Sequence, residues 1–332
     1  MSVFIIAELS ANHNHKKEIA LESIKAAKEA GADAVKIQTY TADTLTIDCD
    51  NKYFQIKHGT IWDGTTLYKL YQQAYTPWKW HKELFSYAQK LGIPLFSTPF
   101  DKTAVDFLED LNNPIIKIAS FELVDTPLIE YAASKGKPMI MSTGIATLQE
   151  IQDAVDVCRK VGNNNITLLK CTSSYPAPLN EANLLTIPDM AKRFGCKVGL
   201  SDHSTGNVVS CTAVALGAQV IEKHFIIDRS IGGPDAAFSM TKDEFAELVK
   251  RIRSTEECLG KVSYELSEKT KANRKFARSL FSVKDIKEGE VFTEENIRSI
   301  RPGDGCSPKN LPRLLGKQAK RAYKRGEPIV WE

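Results

Sequence analysis

The chain lacks the marks of several common protein classes. Its seven cysteines (49, 158, 171, 196, 211, 258 and 306) contain no Cys-x-x-Cys and are odd in number. That spacing suits neither a zinc ribbon nor a disulfide framework. Cys171 and Cys211 lie in apolar runs and read as small packed hydrophobes. No apolar run approaches the ~20 residues of a membrane-spanning helix. MSVFIIAELS has no basic region leading into a long apolar one, so a signal peptide is not expected. A reducing cytoplasm is then the default compartment. Charge of one sign never accumulates: the net charge is +3 over 332 residues, and Glu and apolar residues break up the C-terminal lysines. A nucleic-acid partner is therefore not expected, and those lysines read as a solvated face. What remains, 42% hydrophobic and 26% charged, is ordinary for a globular chain. The length suits one large domain and a small one.

Eight short apolar segments recur: VFIIAELS, AVKIQTY, IPLFSTPF, PIIKIAS, PMIMSTG, ITLLKCTS, KVGLSDH and VIEKHF. Each is a continuous run without clean alternation, as expected of strands buried on both faces. Helical patterns separate them. EIALESIKAAKEAGA ends at Gly31, TPWKWHKELFSYAQKLG opens with a Thr76-Pro77 cap and first turn, and TLQEIQDAVDVCRKVG opens with a Thr147/Glu150 capping box. Repeated strand–helix units predict an α/β fold, a closed (β/α)8 TIM barrel, over residues 1–260. An open doubly wound sheet is the alternative. Polar residues gather at the strands' C-terminal ends, where barrels build their sites, and this favours the barrel. The connection 41–75 reads as an insertion whose Trp62, Tyr68, Tyr71 and Tyr75 suit a wall of a sugar site. After Gly260 comes a polar linker, 261–278, then a small β-rich module, 279–332, made of SLFSVKDI, a KEGE turn, VFT, IRSIRPGDG and PIVWE.

The strand ends offer a dense set of polar groups: Glu8 and Ser10, Asn12 to Asn14, Lys36 and Gln38, Ser97, Thr98 and Asp101, Lys117 and Ser120, Ser142 to Gly144, Lys170, Thr172, Ser173 and Tyr175, Ser201 to His203, and Glu222 to His224. Lys36 and Lys117 stand inside apolar strands, and a buried lysine without a partner is costly. An anionic ligand is one partner, cradled by Thr98, Ser120, Ser142, Ser201 and the backbone near Gly144. A barrel carboxylate such as Glu8 or Glu222 is the other. His203 and His224, on neighbouring strands, suit a divalent ion with positions left open for substrate. The rival chemistry is a Schiff-base lysine at Lys117, Lys170 or Lys223.

The segments AELSANHN, AGADAVKIQTY, STPFD, IKIASFE, STGIAT, KCTSSYP, GLSDHS, EKHF and GPD, in that order, resemble the sialic acid synthase family. ARSLF, KEGE, IRSIRPGDG and LLGK resemble that family's antifreeze-like (SAF, β-clip) domain. ELSANHN, the insertion and KIASFE are similar to the pseudaminic branch. The resemblance implies condensation of phosphoenolpyruvate with an acetamido sugar, 2,4-diacetamido-2,4,6-trideoxy-L-altrose for this branch, assisted by Mn2+ or Mg2+. It implies phosphoenolpyruvate contacts at Lys36, Thr98, Lys117, Ser120, Ser142, Ser173 and Ser201, and a metal at His203 and His224. Ser173 departs from the neuraminate type, which carries Asn there. Glu8 matches the carboxylate beside the acceptor aldehyde, and Tyr175 and Asp235 match substrate- and metal-side positions. Arg301 matches an arginine that reaches the acceptor in the partner's site, which implies a domain-swapped homodimer. A neuraminate or legionaminate synthase, a Schiff-base aldolase and a non-catalytic sugar-binding barrel are the competing readings.

Overall fold

The computed structural model describes residues 2–57, 59 and 62–330. Trp331 and Glu332 of PIVWE, and Thr60 and Ile61 of the insertion, lie outside the described residues. The chain divides into two compact units, Met1–Gly260 and Lys261–Glu332.

In the first unit eight parallel strands close in sequence order. They are β1 (Phe4–Glu8), β2 (Ala34–Thr39), β3 (Leu95–Pro99), β4 (Ile116–Ile118), β5 (Met139–Ser142), β6 (Ile166–Cys171), β7 (Lys197–Asp202) and β8 (Val220–His224). β8 pairs back onto β1, with Glu8 opposite His224, so the closed barrel forms and the open sheet does not. Alternation explains why the strands are apolar throughout. Ile5, Val35, Ile37, Ile116, Met141, Leu168 and Ile221 face outward, in one cluster with the helices. Ile6, Ala34, Phe96, Ile140, Leu169 and Val220 face inward and form a separate plug. Gly199 of KVGLSDH is required there, because a Cβ would stand 2.3 Å from the Val220 carbonyl oxygen and 2.7 Å from Leu169 Cδ2. With the lower barrel filled, inward polar groups have room only above the plug, at the strands' C-terminal ends.

Helix Leu148–Lys160 starts with the Thr147/Glu150 capping box expected from its sequence. Helix Trp78–Leu91 differs: Pro77 is its N-cap residue, and the buried Thr76 hydroxyl instead meets His13 Nε2 at 3.1 Å. The insertion carries helices Ala42–Leu45 and Leu67–Ala74 and a bridge between Gln55 and Thr66.

In the second unit β9 (Ser279–Ser282) pairs antiparallel with β10 (Ile297–Ile300). Leu280, Ile286, Phe292, Ile297, Leu314, Tyr323 and Ile329 form its core. The polar stretch before it holds a short helix, Glu268–Asn273, capped by Ser267. No helix among the described residues is long and apolar enough to cross a membrane.

Candidate active site

The pleat of the barrel sorts the polar strand ends into two sets. Side chains two apart share a face, so Glu8, Lys36, Gln38, Thr98, Lys117, Ser142, Ser201, Glu222 and His224 share the face of the plug residues Ile6, Ala34, Phe96, Ile140 and Val220. Lys170, Asp202 and Lys223 fall on the outer face with Leu168, Leu200 and Ile221. GLSDH and VIEKH both end in histidine, but their acidic residues face opposite ways. Asp202 does not correspond to Glu222. Its carboxylate pairs with Lys223 at 2.8 Å and accepts hydrogen bonds from the Ser204 and Ser210 hydroxyls. Lys170 donates to the Cys171 carbonyl at 2.7 Å. These contacts correct the sequence reading for Lys170 and Lys223 as Schiff-base lysines, since neither points into the barrel. Ser97 is likewise outside the site, bonded to Thr39, and Asp101 caps helix Lys102–Asp110.

In the inward set, Lys36 Nζ lies 2.8 Å from Glu8 and 3.6 Å from Glu222, and Lys117 Nζ lies 3.8 Å from Glu222. The lysines therefore take the carboxylate partners that the sequence left as one of two possibilities. Lys117 also donates to Ser142 Oγ at 2.7 Å, and Lys36 to Thr98 Oγ1 at 3.3 Å. Burial raises the Glu8 pKa, and neighbouring Glu222 adds to this against Lys36. Burial also opposes charge on Glu222, but Lys117 and Lys36 outweigh it and hold that pKa below its usual value. Burial lowers the Lys117 pKa; on Lys36 the two carboxylates overcome burial and raise it.

Gly144, Ser120 and Ser173 converge beside this cluster. The Gly144 N–H donates to Ser120 Oγ at 3.1 Å, and a Cβ at Gly144 would stand 2.1 Å from Ser173 Oγ. The missing side chain is what lets hydroxyls and a backbone N–H gather there. On the other wall the His203 and His224 rings lie 5.3 Å apart. His203 Nδ1 faces the Thr172 carbonyl at 3.1 Å. In the neutral ring that bond puts the hydrogen on Nδ1 and leaves the Nε2 lone pair available. Buried His224 Nδ1 has no hydrogen-bond partner. Burial first, then His203 and three lysines, hold the His224 pKa well below its usual range, so this imidazole is neutral. The neutral His224 ring with its orphaned nitrogen, beside the His203 ring, fits a divalent ion. Among the described residues no cluster of three or more His, Cys, Asp or Glu side chains could hold a metal, so any ion here keeps open positions.

Tyr175 lies against His203, with ring centres 4.3 Å apart. Asp235 is buried and accepts from the Ser10 hydroxyl. Ser10 sits at φ 44°, an uncommon backbone region for a non-glycine residue, and it also meets Gln38 Nε2 at 3.1 Å. Two groups escaped the sequence reading. Burial brings the Glu122 carboxyl up to about 7, and its Oε2 is buried without a hydrogen-bond partner. Phe238 packs 5.0 Å from both the Tyr175 and His224 rings. SFE marked Glu122 only as the acid nearest Ser120, and nothing in AAF marked Phe238. Arg301 belongs to the second unit, where it is exposed.

Residues 23–264 match the NeuB family and residues 277–332 match the SAF domain. A pseudaminic acid synthase of Helicobacter pylori is 48% identical over 326 residues, covering 98% of this chain and 96% of the relative. An N,N'-diacetyllegionaminic acid synthase of Campylobacter jejuni is 39% identical, covering 98% of each. Among solved structures, an N-acetylneuraminic acid synthetase from Leptospira borgpetersenii aligns with a TM-score of 0.73 at 33% identity, over 82% of this chain and 90% of that one. The chain is therefore a member of the NeuB family that carries an SAF domain.

Proposed function

We propose that the chain is a pseudaminic acid synthase, joining phosphoenolpyruvate to 2,4-diacetamido-2,4,6-trideoxy-L-altrose. The observation that carries this reading is the inward convergence of two lysines and a hydroxyl cradle beside a pair of imidazoles. The 48% identity to a pseudaminic acid synthase, against 39% to a legionaminic one, supports the branch.

Lys36, Thr98, Lys117, Ser120, Ser142, Ser173 and Ser201 take the phosphoenolpyruvate. Glu222, ionised between the two lysines, holds them inward until the anionic substrate replaces part of that pairing. The Ser173 hydroxyl, placed at Gly144, stands in the cradle where the neuraminate type carries Asn. His203 and His224 would hold Mn2+ or Mg2+. When bound, such an ion supplies Lewis acidity at the acceptor's open-chain aldehyde. Asp235 and Tyr175 position the acceptor. The enol carbon forms the new C–C bond to the aldehyde carbon, and Glu8 delivers the proton to the aldehyde oxygen. Its raised pKa suits that task. Water adds to the cationic C2 and loses a proton. The resulting hydroxyl then becomes the 2-keto group as the C–O bond to phosphate breaks.

We extend this reading to a homodimer in which Arg301 of the partner subunit reaches the acceptor. In the first unit Phe121, Val124, Ile145, Leu148 and Leu185 are exposed in the stretches that follow β4, β5 and β6. An apolar rim of this kind suits a protein partner. The chemistry is tested with phosphoenolpyruvate carrying 18O in its bridging position. Recovery of the label in phosphate, together with a nine-carbon 2-keto acid, is expected. Label in the sugar acid would overturn the C–O cleavage.

A further inference from the structure

The outer-face pair Asp202 and Lys223 has no place in the chemistry above, yet it stands one residue before each imidazole. The barrel register sets Asp202 opposite Lys223. His203 and His224 follow them in the chain and bring their rings together on the site's side. Both members of the pair are buried, with side-chain exposures of 1% for Asp202 and 2% for Lys223. Lys223 Nζ pairs with the Asp202 carboxylate at 2.8 Å and donates to the Ser204 carbonyl at 2.6 Å. Asp202 in turn accepts from the Ser204 N–H at 2.9 Å, and from Ser210 Oγ at 2.6 Å in the first turn of helix Val208–Ala215. One lysine therefore holds the residues on both sides of His203. His224 needs a similar restraint. A ligating imidazole is ordinarily aimed by a hydrogen bond to its other nitrogen. With no such bond at Nδ1, His224 takes its direction from its strand and from the Phe238 ring 5.0 Å away.

We infer that the Asp202–Lys223 pair is a clamp that positions His203 and His224 for a divalent ion. This rests on the function proposed above, and it gives the outward residues of GLSDH and VIEKH a task of their own. Neither side chain reaches the ion; both are positioning residues. Apolar side chains can often replace a buried ion pair without loss of stability. Stability alone therefore does not account for this pair on a face that Leu200 and Ile221 otherwise pack with apolar groups. What apolar side chains cannot supply is the set of directed bonds to Ser204 and Ser210.

The test titrates Mn2+ in the absence of substrates and measures the urea midpoint of the same proteins. Wild type is compared with Lys223→Met, with the double variant Asp202→Leu/Lys223→Met, and with Leu84→Ala. Leu84 is buried on helix Trp78–Leu91 in the outer cluster, so its truncation lowers stability through a cavity and leaves the clamp intact. Lys223→Met should bind Mn2+ about 10-fold or more weakly than wild type. Leu84→Ala should bind it as wild type does, despite its lower urea midpoint. The double variant leaves no unpaired buried charge, so its midpoint should recover while its Mn2+ affinity stays low. If Lys223→Met does not fold, the double variant carries the comparison. An affinity within threefold of wild type in either clamp variant, or an equal weakening in Leu84→Ala, would overturn the inference and leave the proposed function standing. A wild type that binds no Mn2+ would instead overturn the metal role proposed for His203 and His224, so the two failures are distinguishable.

Discussion

Glu8 and Glu222 sit in one layer of the barrel, yet their surroundings drive them apart. Burial leaves Glu8 ready to hold a proton, while two lysines keep Glu222 ionised. Carboxylates separated in this way take different roles: in the proposed mechanism Glu8 moves a proton and Glu222 holds the lysines. Glu8→Gln preserves the shape and a bond to Gln38 but carries no proton. Its kcat should fall by about 10²–10⁴-fold with a small change in the phosphoenolpyruvate KM. Steady-state kinetics check this, and a kcat within threefold of wild type would refute the role. His224→Ala should lose turnover and bind Mn2+ at least ~10-fold more weakly, a loss measurable by titration without substrate. At this scale residue types were legible in the sequence and their directions were not. Strands buried on both faces carry no hydrophobic alternation, so Asp202 and Lys223 looked as inward as Glu222 and His224. Only the register separates them.

The elements around the site are tied by buried polar groups. His13 follows β1 and meets Thr76, while His81 on helix Trp78–Leu91 meets Thr39 of β2 at 2.8 Å. Burial lowers both pKa values to about 4. In the unfolded chain a histidine titrates near 6.5. Above that pH both states are neutral. Between about 6.5 and 4 the unfolded state alone takes up protons, so stability falls as the pH falls. The loss is on the order of 3 kcal/mol per histidine over the whole window. Melting curves should show Tm steady above pH 7 and declining towards pH 5, and a flat Tm would contradict the neutral buried state. Lys223→Met leaves Asp202 buried without its cation. This should cost about 3 kcal/mol or more, read as a lower urea midpoint. Capping signals such as Thr147/Glu150 were legible because the cap is local. Thr76 misled because its hydroxyl is taken by His13, which is distant in the chain.

At the scale of the whole molecule the order of motifs along the chain was the strongest signal. Eight strand–helix units fix a barrel by count, and closure adds only the pairing of β8 with β1. The reach proposed for Arg301 was not legible from its surroundings. An exposed arginine before Pro302 has no local reason to serve a substrate. In the proposed homodimer, Arg301→Ala should raise the acceptor KM by ~10-fold or more and leave that for phosphoenolpyruvate nearly unchanged. Equal effects on both would remove the arginine from the acceptor's end.

Phosphate release from phosphoenolpyruvate is the measurement that decides the proposed reaction. It is measured with the altrose derivative, N-acetylmannosamine and the legionaminate precursor, each with manganese and with chelator. Manganese-dependent release with the altrose derivative alone is expected. Release only with another acceptor would overturn the branch, and release that persists in chelator would contradict the role given to His203 and His224.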